Sequence, residues 1–286
     1  MYELPQWVLQ ARERVQAKDP DRLGSVRLID ESARRRGIES ISTLQSFALG
    51  RMPERGDGWD VELHQADHGP FIGVGDSLSV SCHGTRFTHI DGLDHVLAHD
   101  NYEDGGTTSA SALSRWGSGG LISTRGVLVD IPDLRGVPWI DANEPATGAE
   151  VDQALERANV TFEAGDALLL YLGRDRFEAA GNTYLPTLHA VDGRPGVGTN
   201  CAEWIADHEV GAVAWDFMDA RTPDEREYFS VHPLIWAIGL ALMDNCNLGP
   251  LASAMRTAEK ATGFFSVSFP AFEAVTGFPV NPLVVL

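Results

Sequence analysis

The segment HGTRFTHIDGLDHVLAH, residues 83–99, holds four of the chain's nine histidines together with Asp91 and Asp94. Imidazoles and carboxylates are the side chains that zinc, manganese and iron accept as ligands. On an extended strand, residues two apart share a face. His89 and Asp91 therefore point the same way, with Cα atoms ~6.6 Å apart. Their side chains can converge on one ion lying ~2 Å from each ligand atom. Ile90, between them, faces the opposite side, as a core residue would. His83 stands six residues before His89. It reaches the same ion only if the chain doubles back over 84–88, a bend that Gly84 permits. His95 lies four residues beyond Asp91, across Gly92. A helical turn there would set it on the same side as Asp91. His99, beside Asp100, reads as structural or exposed.

The same letters allow other readings. His-x-Asp with a distant histidine is the facial triad of non-haem iron oxygenases, with His189, His208 or His232 as the third ligand. A 2-oxoglutarate enzyme also needs a basic residue for its cosubstrate, and no Arg or Lys follows His208 or His232 within ten residues. Arg221 and Arg226 precede His232. That weakens the oxygenase reading. A non-catalytic binding protein could instead pair His89 with Asp91 in a polar core network.

The elements that must position these residues are legible in part. Residues 5–17 read as an amphipathic helix with Trp7, Val8, Ala11 and Val15 on one face. Residues 53–70, PERGDGWDVELHQADHGP, are rich in turn formers and charge and read as a surface loop with His64 and His68 solvated. Thr147 and Glu150 form a capping box, and Val151, Ala154, Leu155 and Ala158 follow at helical spacing. RGVLVDI (125–131), ALLLYL (167–172) and EVGAVAWDF (209–217) read as buried strands, with a helix over 200–208. PLIWAIGLALM (233–243) reads as core, and Gly239 as the end of a short helix that launches a strand toward Asp244. Trp215 and Trp236 read as core, and Asn200 and Cys201 as structural. Buried strands alternating with helices indicate a single α/β domain over 1–286, with residues 1–20 as an N-terminal helical extension.

Composition narrows the partners. The formal net charge of −19 repels phosphate backbones and anionic lipids, so neither nucleic acid nor membrane is expected. The longest apolar run falls short of the ~20 residues that span a bilayer. The N-terminal stretch MYELPQWVLQARERVQ is too charged for a secretory signal. Three widely spaced cysteines, Cys82, Cys201 and Cys246, imply no disulfide framework. A cytoplasmic protein with reduced thiols is the expectation.

Over roughly residues 20–286 the sequence resembles the metal-dependent cyclase-like hydrolases, which include bacterial kynurenine formamidase and isatin hydrolase. HGT (83–85) and THIDGLDH (88–95) carry the hallmark, a histidine and Gly-Thr followed by His-x-Asp-x-x-x-His. RGVLVDI, GDALLLYLG (165–173), ADHEVGAVAWD (206–216), VHPLIWAIGLALMDNCNLGPLA (231–252) and TGFPVNPLVV (276–285) resemble later segments in the same order. The resemblance implies an α/β fold with a barrel-like mixed β core and outer helices. It implies a homodimer or homotetramer acting on a small molecule, with Zn2+ or Mn2+ as cofactor. His89 and Asp91 match paired metal ligands, and His95 matches the catalytic general base or acid. His83 matches the first ligand, although the short form of the motif has four residues where this chain has six, and Thr85 occupies the four-before position. His232 and Asp244 match a histidine and an acidic residue that hold a second ion or orient the first. Phe47 and Phe87 are candidates for lining the pocket. The implied reaction is hydrolysis of an amide, formamide, lactam or lactone, or ring closure in reverse.

Overall fold

The apolar runs RGVLVDI, ALLLYL and GAVAW become the middle of a sheet covered on both faces. The computed structural model describes residues 4–98, 112–120, 122–184, 193–221 and 229–286, so His99, His189 and Arg226 lie outside the described residues. In chain order the elements are α1 (Gln6–Gln16), a 3-10 turn (Gly24–Leu28), α2 (Glu31–Glu39), β1 (Ser46–Ala48), β2 (Trp59–Asp67), β3 (Ile72–Val80) and β4 (His89–Asp91). Then come α3 (Ala112–Gly119), β5 (Ser123–Asp130), α4 (Ile131–Arg135), α5 (Gly148–Ala158), β6 (Ala167–Tyr171), α6 (Arg174–Ala179) and α7 (Thr199–Asp207). The chain closes with β7 (Ala212–Trp215), α8 (Pro233–Ile238), β8 (Leu242–Asp244), α9 (Gly249–Thr257), β9 (Thr262–Ser266), β10 (Gly277–Pro279) and β11 (Leu283–Val285).

Among the described residues nine strands form one mixed sheet in the order β1-β11-β9-β5-β6-β7-β8-β4-β10, curled into a half-barrel. β5, β6, β7 and β8 run parallel, and the flanking pairs are antiparallel. Alternation divides the core into two layers. Val127, Val129, Leu168, Leu170, Val213, Trp215 and Leu242 face one layer, and Leu128, Leu169, Tyr171, Ala214, Met243 and Ile90 face the other. Strands buried on both sides read as continuous apolar runs, which is why ALLLY shows no alternation.

The local expectations hold at several points. Thr147 Oγ1 accepts the Glu150 N–H at 3.3 Å and Glu150 Oε2 accepts the Thr147 N–H at 3.0 Å, closing the capping box of α5. α1 packs against α8 with Val8 and Ala11 buried, and the Arg12 guanidinium lies 4.0 Å above the Trp236 ring. Cys82, Cys201 and Cys246 are free and buried. Among the described residues no helix is long and apolar enough to cross a membrane.

The stretch 53–70 departs from the loop expected of it. Its second half is β2, paired residue for residue with β3 in an antiparallel ribbon from Trp59↔Val80 to Asp67↔Ile72. Trp59, Val61 and Leu63 share one face with Ile72, Val74, Leu78 and Val80, while Asp60, Glu62, His64 and Ala66 share the other with Gly73, Gly75, Ser77 and Ser79. Charged and turn-forming residues on the polar face masked the alternation. Leu63, Ile72, Val74 and Leu78 remain exposed, as does His64, whose Nε2 lies 2.8 Å from Ser77 Oγ.

Candidate metal centre

β4 is three residues long and lies between β8 and β10. His89 pairs with Asp244 and Pro279, and Asp91 with Leu242 and Gly277. Register puts His89, Asp91 and Asp244 on one face, while Ile90 is fully buried in the apolar layer behind. Asp244 arrives there because α8 stops at Gly239 and the chain turns directly into β8. The chain bends between His83 and His89, with Gly84 at φ +104°, and returns His83 to Asp91. A turn follows β4, closed by the His95 N–H on the Gly92 carbonyl at 3.0 Å, and it places His95 on the same side. A single turn there is what the spacing of Asp91 and His95 led one to expect.

All six candidate residues, His83, His89, Asp91, His95, His232 and Asp244, thus meet at one place. His83 Nδ1 lies 3.2 Å and His89 Nε2 3.4 Å from Asp91 Oδ1, with His95 Nε2 at 3.8 Å. His232 Nε2 lies 3.6 Å from Asp91 Oδ2 and 3.4 Å from Asp244 Oδ2, and His89 Nε2 lies 3.8 Å from the latter. Among the described residues two sets have ligand atoms within 4.8 Å of one another: His83, Asp91 and His95, and His89, Asp91 and Asp244. Asp91 is common to both.

The electrostatics are unusual. Both Asp91 carboxylate oxygens and Asp244 Oδ2 are buried with no hydrogen-bond partner. An unpaired buried acceptor costs roughly 1–3 kcal/mol, and more when charged. Burial disfavours the Asp91 carboxylate, but the closeness of His83, with His89, His95 and His232 around it, holds its pKa below the ordinary value. Burial pushes the His95 imidazole down to about 4, against the pull of Asp91.

Surrounding groups hold the outer nitrogens of His83, His89 and His232. His89 Nδ1 donates to the Phe87 carbonyl at 3.0 Å, leaving Nε2 toward the carboxylates. His232 Nδ1 donates to Asp219 Oδ2, and Asp219 Oδ1 accepts the backbone N–H groups of Ser230 and Val231 at 2.8 and 2.6 Å. Burial opposes protonation of His232, yet Asp219 and Asp244 raise its pKa well above the ordinary value. Asp244 Oδ1 accepts the indole N–H of Trp215 at 2.5 Å, and His83 Nε2 lies 3.2 Å from Thr276 Oγ1. A ligating histidine whose other nitrogen is held by a carboxylate or carbonyl is the usual support of a metal site.

The donor set fits a divalent cation. Two ligand atoms ~2.1 Å from one tetrahedral ion stand ~3.4 Å apart, the spacing found at His89–Asp91 and His232–Asp244. Sequence reasoning missed Asp219, Thr276 and the indole of Trp215 as supports, since they join the site from distant segments with no spacing signal. His208 lies elsewhere, stacked on Trp204 with its Nδ1 on the Trp204 carbonyl at 2.7 Å. Phe87 is buried, and Phe47 is half-buried against the apolar layer.

A model of the Cyclase family matches residues 59–220, more than half of the chain. The chain belongs to the cyclase family. Among solved structures, the chain is similar to one described as a novel cyclase, at 18% identity and TM-score 0.75, covering 94% of this chain and 97% of that one. It is also similar to isatin hydrolase A from Ralstonia solanacearum, at 14% identity and TM-score 0.57, covering 85% and 92%. A third is a "predicted metal-dependent hydrolase" from Bacillus stearothermophilus, at 14% identity and TM-score 0.50, covering 85% and 98%. At these identities the likeness is one of fold. No curated protein matches.

Proposed function

We propose that this cyclase is a metal-dependent hydrolase of a small molecule, opening an amide, formamide, lactam or lactone and closing the ring in reverse. One observation carries the reading: three buried carboxylate oxygens, of Asp91 and Asp244, have no hydrogen-bond partner and sit among imidazole nitrogens at ligand-to-ligand spacing. A bound cation would satisfy all three.

His83, His89, Asp91, His232 and Asp244 would hold Zn2+ or Mn2+, around one position or two that share Asp91. Such an ion, when bound, polarises the scissile carbonyl and lowers the pKa of water to ~7. His95 is the group left to move protons. Its side chain is about a quarter exposed, at 26%, and stacks on His83 with centroids 3.9 Å apart. Burial keeps its imidazole neutral, and its place beside Asp91 lets it take the proton of an attacking water and return it to the leaving nitrogen or oxygen. Such transfer contributes ~10²–10⁴ in rate. The second carboxylate, Asp244, exceeds the single one of a facial triad and favours hydrolysis over oxygenase chemistry.

The test is a panel of formamides, lactams and lactones given to protein stripped by a chelator and then reloaded with zinc or manganese. Turnover is expected to vanish on stripping, to return on loading, and to be absent from the His89→Ala, Asp91→Ala double variant. Full turnover by metal-free protein would refute the reading.

A further inference from the structure

We propose that Arg174 and Asn245 form one positioning device that sets where His83 and His89 stand, and so tunes how tightly the centre holds its cation; this rests on the metal-centre reading above. Their side chains hydrogen-bond to each other and to backbone carbonyls beside the cluster. They grip the segment that bends between the two histidines.

Asn245 follows Asp244 directly, is fully buried and has φ +58°. Asparagine tolerates that left-handed conformation better than most residues. Its Oδ1 accepts from Arg174 Nη1 at 2.6 Å. A guanidinium only donates, so the amide orientation is fixed. Nδ2 therefore faces the bend and donates to the carbonyls of Gly84 at 2.6 Å and Phe87 at 2.9 Å. Arg174 Nη2 donates to the carbonyl between them in sequence, that of Thr85, at 2.6 Å. Two side chains thus hold three carbonyls of the bend. The Phe87 carbonyl also receives His89 Nδ1, so the Asn245 amide and the His89 ring share one acceptor.

Arg174 is itself pinned. It is 3% exposed, its Nε donates to Glu178 Oε1 at 2.8 Å, and its guanidinium lies 4.7 Å above the Tyr184 ring. Glu178 is held from the other side by Arg51 at 2.5 Å. The chain of contacts runs from Arg51 through Glu178, Arg174 and Asn245 to the bend, and ends on His89.

Cobalt(II) titration, read by its visible absorption, separates this role from a merely structural one. Asn245→Asp keeps the acceptor for Arg174 but turns the donor to Gly84 and Phe87 into a second acceptor. Arg174→Lys keeps the charge but cannot serve Asn245 and Thr85 with a planar fork. Outer partners of metal-ligating histidines typically account for ~10–100-fold in affinity. We expect a loss of that size in both variants, with a changed cobalt spectrum, in protein whose circular dichroism shows it folded. Wild-type affinity and spectrum in folded Arg174→Lys overturn the proposal, even if Asn245→Asp does not fold. A lower melting temperature of the metal-free variants with an unchanged spectrum overturns it too. Failure of the wild type to bind cobalt refutes the metal-centre reading itself.

Discussion

Gly277 lies opposite Asp91 in the ladder, and the His83 ring occupies the space its missing side chain leaves. A Cβ built there would lie 2.4 Å from His83 Cε1, 2.8 Å from His83 Nε2 and 3.0 Å from the Ile90 carbonyl oxygen. Non-bonded carbons rest ~3.5–4.0 Å apart, so in Gly277→Ala the ring must retreat by about 1 Å or more. The backbone at 277 needs no left-handed φ, and the two nearest obstructing atoms are the end of a partly exposed side chain, with the Ile90 oxygen a tight third. The fold should therefore absorb the change, at about 0.5–1.5 kcal/mol for an off-rotamer ring. The centre should not. His83 Nδ1, 3.2 Å from Asp91 Oδ1, would move beyond ligand spacing. A misplacement of ~1 Å can lower turnover ~100-fold. Urea melts, zinc competition titrations and hydrolysis rates should be measured for Gly277→Ala, His83→Ala and the double variant. Small stability losses are expected, with equal losses of zinc affinity and rate in the two single variants and nothing further in the double. A folded Gly277→Ala with wild-type zinc affinity and rate would refute the argument that this glycine makes room for His83.

Two further outcomes follow from buried carboxylates. Asp219→Asn would present an amide N–H to His232 Nδ1, forcing the proton to Nε2, the nitrogen that faces Asp91 and Asp244. Nitrogen NMR of the imidazole should show that tautomer, with zinc bound ~10–100-fold more weakly; an Nδ1–H tautomer in the variant would contradict it. Asp216 is held up to about 6 by burial, against four backbone N–H groups that favour the ion. Folding thus favours its protonated form. The stability it contributes is full below about pH 4 and is lost as pH rises through about 6, by ~3 kcal/mol at most. The gap in urea midpoint between wild type and Asp216→Asn should narrow across that window, and a widening gap would mean that the N–H groups win.

How much of this was legible depends on the range of each interaction. The capping box of Thr147 and Glu150 is written within four residues, and the shared face of His89 and Asp91 within three. Family resemblance supplied His232 and Asp244, which no spacing rule joins to His89. The strand β2 was hidden because its apolar face is not buried, so Leu63 and Val61 stood among charges like loop residues. Asp219, Trp215, Arg174 and Thr276 left no trace, because their partners lie 13 to 193 residues away and their types are common in ordinary cores. Trp215 shows the difficulty well: it is a core residue by burial and a support of Asp244 by its single N–H.

The three-residue strand β4 gives the centre an odd kind of fragility. The proposed ligands His89 and Asp91 occupy alternate rungs, and the middle rung, Ile90, belongs to the apolar layer behind. Moving the strand by one rung against β8 and β10 would carry both ligands through the sheet and leave an isoleucine where the ion belongs. The chemistry is therefore stored as parity in the backbone ladder. Insertions between β4 and its neighbours lengthen only a connection, whereas one extra residue inside any of the three strands exchanges the polar face for the apolar one.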